Sequence, residues 1–178
     1  VTRSNLLNSA LSEVYAYDGL SRLVDTNRGG SDLQAWTLDA LGNWDGFTDG
    51  AMTQTRQQNA ANETTGITGG GWNGPAYDAA GNMTSGPKAG NEAVRRHFVY
   101  DAWNRLVQVK ADSGGQSGAV IATYQYDGRG FRTQKVLAGS DSFDYYYNEA
   151  HQVVEVRKNG DADAFEQYVW DARYIEIF

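Results

Sequence analysis

The sequence predicts an all-β chain of antiparallel hairpins, and three observations carry that prediction. Seven times an aromatic residue or leucine is followed at once by Asp or Asn and a short turn-like stretch. The flanking segments alternate with period two, which sends successive side chains to opposite sheet faces. Composition agrees: eleven Tyr, five Trp and six Phe favour strands, and 21 Gly supply turns. Self-similarity at roughly 20 to 25 residues marks a repeat architecture, so the unit to explain is the repeat.

The first copy, Tyr17-Asp18-Gly19-Leu20-Ser21-Arg22-Leu23, follows the alternating Val14-Tyr15-Ala16-Tyr17. Next comes Leu38-Asp39-Ala40-Leu41-Gly42-Asn43-Trp44, with leucine in the aromatic place. Then follow Tyr77-Asp78-Ala79-Ala80-Gly81-Asn82-Met83 and Tyr100-Asp101-Ala102-Trp103-Asn104-Arg105-Leu106. Three copies drift further: Tyr126-Asp127-Gly128-Arg129-Gly130-Phe131-Arg132, Tyr147-Asn148-Glu149-Ala150-His151-Gln152-Val153 and Trp170-Asp171-Ala172-Arg173-Tyr174-Ile175. After the turn an alternating strand resumes, as in Leu106-Val107-Gln108-Val109-Lys110 and Val153-Val154-Glu155-Val156-Arg157. Hairpins are joined by turns of their own, Ala138-Gly139-Ser140-Asp141 and Asn159-Gly160, the latter suited to type I′.

One stretch breaks the rhythm. Successive Asp or Asn residues stand 21 to 26 apart, except for 39 between Asp39 and Asp78. The segment 49–74 is rich in Thr, Gln, Asn and Gly and includes Gly69-Gly70-Gly71, so it reads as an insertion loop with a short helix over Met52 to Asn62. The whole chain, 1–178, reads as one β-repeat domain that contains this loop.

Each repeated position has a structural reading. The Asp at the strand end can accept hydrogen bonds from backbone N–H groups one to three residues on, and Asn148 can do the same. Gly42, Gly81, Asn104 and Gly130 stand where the backbone must take positive φ, with His151 replacing them once. The Tyr before each Asp is expected to stack on its counterpart in the neighbouring hairpin. The residues assigned to the motif are therefore Tyr17, Asp18, Asp39, Gly42, Tyr77, Asp78, Gly81, Asn82, Tyr100, Asp101, Asn104, Tyr126, Asp127, Gly130, Tyr147, Asn148, Trp170 and Asp171. A row of outward aromatics, among them Trp36, Trp44, Trp72 and Trp103, could instead bind sugar rings.

A net charge of −7 with scattered Lys and Arg argues against a nucleic-acid backbone as partner. No run approaches the ~20 apolar residues of a membrane-spanning helix, and the first residues hold neither a basic n-region nor an apolar h-region, so Val1 is expected to be a fragment or processing boundary. With no cysteine there is neither a disulfide framework nor a thiolate metal site. His97 and His151 lie in different repeats outside any zinc spacing, and no Gly-x-Ser-x-Gly elbow appears. Asn159-Gly160-Asp161-Ala162-Asp163 gathers acidic oxygens but lacks the complete calcium-loop pattern. The expectation is no catalytic residue, no metal and no cofactor.

The copies resemble the YD-repeat, or Rhs (rearrangement hotspot) repeat, family, whose motif is Tyr-Asp-x-x-Gly-Arg/Asn followed by an apolar strand. Tyr77-Asp78-Ala79-Ala80-Gly81-Asn82-Met83 matches best, and the resemblance runs from about Tyr15 to Phe178 apart from the insertion. It implies a ribbon of hairpins spiralling into a hollow shell, which in many members encloses a C-terminal toxin domain and in animal teneurins serves cell adhesion. Tyr168-Val169-Trp170-Asp171-Ala172-Arg173-Tyr174-Ile175 further resembles the start of the Rhs-associated core. The family's Asp-Pro-x-Gly self-cleavage motif is absent, since neither Pro75 nor Pro87 follows Asp. Self-release therefore does not carry over.

Together these readings describe a structural module of a bacterial secreted or cell-surface protein. Its expected partners are further repeats of the same or neighbouring chains and an enclosed toxin domain, with glycans as the alternative. Seven repeats are too few to close a shell, and the uncapped Tyr174-Ile175-Glu176-Ile177-Phe178 reads as an interrupted strand, so a piece of a longer chain is expected.

Overall fold

The computed structural model describes residues 1–29, 31–170 and 175–177. A seven-stranded sheet holds β1 (Thr2–Arg3), β2 (Glu13–Tyr17), β3 (Leu23–Arg28), β4 (Ser31–Leu38), β5 (Trp44–Asp49), β6 (Met52–Gln58) and β7 (Thr64–Thr68). A ten-stranded sheet holds β8 (Ala76–Tyr77), β9 (Met83–Lys88), β10 (Asn91–Tyr100), β11 (Leu106–Ser113), β12 (Gln116–Tyr126), β13 (Arg132–Leu137), β14 (Ser142–Tyr147), β15 (Val153–Lys158), β16 (Ala164–Trp170) and β17 (Ile175–Ile177). Strand order equals chain order in both sheets, so each is an antiparallel meander of hairpins. Among the described residues the only helical element is a single 3-10 turn, Ser9–Leu11.

Two expectations are corrected. The segment 49–74 is not an insertion loop, and no helix covers Met52 to Asn62: β6 and β7 fill it as a regular hairpin with Gln57 opposite Gly66. Thr and β-branched alternation in Thr53-Gln54-Thr55-Arg56 suits a half-covered strand, whatever its low apolar content. In place of one domain the chain has two compact units. It divides into a first unit of Val1–Tyr77 with Gly86–Val94 and a second of Asp78–Ser85 with Arg95–Phe178.

Burial is shallow. Among the described residues the buried apolar side chains are Phe47 in the first unit and Ala122 and Val156 in the second, and the polar Gln54 and Ser85 are buried as well. Two packed layers would bury far more. Stability must therefore come largely from ladder hydrogen bonds, cross-strand side-chain pairs and the bonds linking one repeat to the next.

The inter-repeat connection at Asn159-Gly160 has φ of 54° and 72°, with Asp161 N–H donating to Lys158 O at 3.0 Å, as a type I′ turn requires. Asn159 also bridges to the preceding turn, donating to Asp141 Oδ1 at 2.9 Å and accepting from Ser142 N–H at 2.8 Å.

Candidate functional site

The repeated turn has one geometry in every described copy. In the first, Asp18 N–H donates to Arg22 O and Ser21 N–H donates back to Asp18 O, both at 3.0 Å. The same pair of bonds recurs at Asp39, Asp78, Asp101, Asp127 and Asn148. This is a three-residue hairpin loop, and in the strands just beyond it the register shifts by one residue, for example between Ala16 and Tyr17, opposite Asp25 and Leu23. The fourth residue after the aromatic takes positive φ throughout: Ser21 61°, Gly42 93°, Gly81 83°, Asn104 60°, Gly130 91° and His151 62°.

The acidic side chain closes the loop from inside. Asp18 Oδ1 accepts from Leu20 N–H at 2.9 Å and Arg22 N–H at 3.0 Å, two and four residues on, one residue farther than expected. Asp39, Asp78, Asp101 and Asp127 repeat the pair, and Asn148 keeps the bond from Gln152. The second carboxylate oxygen takes the side chain four residues on: Arg22, Asn43, Asn82 or Arg105. Asp171 lies outside the described residues.

An additional copy, missed in the sequence, sits at Gln58-Asn59-Ala60-Ala61-Asn62-Glu63-Thr64. Asn59 Oδ1 accepts from Ala61 and Glu63 N–H at 2.9 and 3.0 Å, and Asn62 takes φ 64°. Its partner position holds Glu63, which accepts from Asn59 Nδ2 at 2.6 Å. That explains the missing Asp, because a carboxylate at 59 would face the carboxylate of Glu63. Asn59→Asp is expected to destabilise the first unit by up to about 1 kcal/mol, and adding Glu63→Arg to recover the loss. A double-mutant cycle in urea checks this, and additive effects would refute the pairing.

Neighbouring repeats are tied by two recurring bonds. The aromatic of one copy reaches the backbone carbonyl six places beyond the aromatic of the copy before it. Tyr126 Oη donates to Leu106 O at 2.7 Å, Tyr147 Oη to Arg132 O at 2.9 Å and Trp170 Nε1 to Val153 O at 2.6 Å. Gln58, in the aromatic place of the additional copy, makes the same bond to Trp44 O at 3.0 Å with its amide. The second tie leaves the turn itself: Arg22 donates to Asp39 O, Arg105 to Asp127 O, Asn43 to Asn62 Oδ1 and Asn82 to Asn104 Oδ1, at 2.8 to 3.1 Å.

This corrects the expected stacking of successive Tyr rings. Tyr126 and Tyr147 lie on strands two apart, roughly 10 Å, so the hydroxyl lands on the intervening backbone instead. The ring pairs found involve other residues, such as Phe131 with Tyr147 at 5.4 Å and with His151 at 4.7 Å. Burial pushes the Tyr77, Tyr100, Tyr126 and Tyr147 hydroxyls above their ordinary value. Tyr17 is 48% exposed, Trp103 75% and Trp44 38%; Trp44 and Trp72 flank Arg56, and Trp36 packs against Trp44. His97 is paired with Asp112 at 2.9 Å.

The turn carboxylates are all held below their ordinary value. Asp18 is lowered chiefly by the Arg22 N–H, Asp127 by the Phe131 N–H, and Asp39 and Asp78 by the Asn43 and Asn82 amides. At Asp101 burial pushes upward, but the Arg105 N–H and guanidinium outweigh it. A lowered folded value means that the unfolded chain binds protons first as pH falls. The stabilisation is thus complete above the ordinary value of 3.8 and is lost as pH drops below it through the folded values. Circular dichroism should show an acid limb beginning near pH 4, made shallower by Asp78→Asn with Asp127→Asn, since Asn59 and Asn148 already fill the turn as amides. Unchanged stability down to pH 2 would refute it.

Among the described residues no helix is long and apolar enough to cross a membrane. No protein-family model and no curated protein matches the chain. Solved structures do. Over 96% of its length the chain is similar to a chain of TcdB2-TccC3-TEV, at TM-score 0.53 and 13% identity, covering 11% of that chain. It is similar over 90% of its length to a chain of TcdB2-TccC3-Cdc42, at TM-score 0.52 and 12% identity, covering 10% of that chain. The chain thus spans about a tenth of the length of these structures, and what it shares with them is an all-β fold of consecutive antiparallel hairpins.

Proposed function

We propose that this chain is a stretch of wall in a β-repeat shell, with no catalytic residues of its own, and that it helps enclose a toxin or other cargo of a secreted or surface-bound bacterial protein. One observation carries the reading: the acidic and amide residues of the motif close the turns, and Tyr126, Tyr147 and Trp170 tie their repeats to the one before. Shallow burial fits a wall one sheet thick better than a self-sufficient globule. The likeness to short stretches of much longer chains agrees with a part that continues into more of the same.

A wall segment on its own leaves strand edges unpaired, and such edges template association. Light scattering of the 178-residue chain over a concentration series is expected to show growing, edge-paired species. A compact monomer at every concentration would sink the wall reading.

The alternative is a glycan-binding surface module, and Trp103 is what favours it. Its exposed ring stands beside Arg105, Arg129 and the bare backbone of Gly128 and Gly130 in an open cleft. Saturable fluorescence change on glycan titration, abolished by Trp103→Ala, would move the assignment to this reading.

A further inference from the structure

The loop between β1 and β2 carries a tip that the hairpin architecture does not use. Leu6 and Leu7 are 96% and 101% exposed, so both side chains stand clear of the sheet. From Ser4 to Ser12 the loop holds no charged residue. Its polar side chains are turned onto its own backbone instead. Asn5 Oδ1 accepts from Leu7 and Asn8 N–H at 3.0 and 2.9 Å, and Asn8 Oδ1 accepts from Ala10 N–H at 3.1 Å. Asn5 N–H donates to Ser12 Oγ, and Leu11 and Ser12 N–H donate to Asn8 O and Ser9 O, all at 3.0 Å. The tip is thus a hydrogen-bonded turn that holds two adjacent leucines outward, where water gives them no stabilisation.

Charge gathers at the base of the same loop. Arg3, Arg28 and Glu13 line an open cleft of about 470 Å³ together with Leu6, Leu7 and Leu11. Glu13 is engaged on both oxygens, accepting from the Tyr15 hydroxyl on one and from the Arg28 guanidinium on the other. Arg3 approaches Glu13 only to 4.0 Å, and its side chain is 81% exposed. Two guanidinium groups thus face one carboxylate, and Arg3 is the cation left open. The cleft is basic on one side and apolar on the other, although the chain as a whole is acidic.

We propose that this tip docks on the surface of an anionic bilayer, with Leu6 and Leu7 entering the acyl boundary and Arg3 meeting lipid phosphate at the cleft. The pairing of parts selects a lipid surface over a protein partner. The tip projects, and a fluid surface takes up a projecting side chain without a matching hollow. Its backbone N–H groups at 5, 7, 8, 10, 11 and 12 are paired within the loop, as a medium without water requires. A cation beside leucines matches a phosphate beside acyl chains. The site is independent of the shell reading, since it needs only the first unit.

The test is flotation of the 178-residue chain with two kinds of vesicle, phosphatidylcholine alone and phosphatidylcholine with phosphatidylglycerol at two to one. Flotation is chosen because chains assembled without lipid sink. Two leucine side chains carry fewer carbons than a myristoyl group, so half-binding is expected in the millimolar range of anionic lipid, and about fivefold weaker on neutral vesicles. Leu6→Ser with Leu7→Ser should reduce binding at least tenfold, with an unchanged urea midpoint because neither side chain is packed. Arg3→Gln should cost about fivefold on the anionic vesicles alone. A wild-type chain that stays at the bottom with both vesicles overturns the proposal, as does equal flotation on neutral and anionic lipid. Undiminished flotation of the folded double-leucine variant overturns it as well.

Discussion

Phe47→Ala is expected to cost the first unit about 3–5 kcal/mol, the usual penalty for deleting a buried aromatic side chain. Phe47 is 8% exposed and is the residue on which Trp36, Trp44 and Arg56 all converge. Few other apolar side chains are fully buried, so no second core can absorb the loss. The vacancy would also open beside Gln54, whose amide nitrogen already lacks a partner. Leu41→Ala supplies the contrast: Leu41 is 76% exposed at a turn tip, and its truncation should change stability by no more than about 0.5 kcal/mol. Urea unfolding followed by tryptophan fluorescence measures both. Equal effects would mean that the aromatic cluster is not a core.

Gly69→Ala should destabilise the same unit by roughly 2–5 kcal/mol, from two additive causes. At φ 89° an L side chain is strained, and its Cβ would be driven into the Thr53 carbonyl oxygen, part of the β6 backbone and unable to turn aside. Gly50 separates the causes. It too has positive φ, 55°, but nothing lies within 4 Å of a Cβ there, so Gly50→Ala should cost only the strain, about 1–2 kcal/mol. If both substitutions cost the same, the close approach of the Gly69–Gly71 segment to β6 is not there.

The turns were legible because their causes are local. An acceptor side chain at the strand end, a residue tolerant of positive φ three places later and an alternating strand on each side lie within seven residues, and any chain carrying them makes the same loop. The Asn159-Gly160 turn is legible for the same reason. The copy at Gln58 to Thr64 does not fit a pattern of aromatic plus acid. Its two working atoms are the Gln58 amide nitrogen and the Asn59 amide oxygen, which do the same bonding without either label. Spacing was the available signal: 39 residues between Asp39 and Asp78 is nearly two ordinary repeats, and Asn59 falls close to the middle.

By itself, then, the sequence determined an all-β chain of hairpins and the place and shape of most of its turns, since these follow from neighbours within a few residues. Only the tertiary structure decided where the repeated aromatics point. Their partners are carbonyls 15 to 20 residues away in the preceding repeat, and every residue type carries the same carbonyl, so no side-chain pattern marks it. It alone also set Trp36, Phe47 and Gln54 side by side, because that meeting depends on the register of three strands.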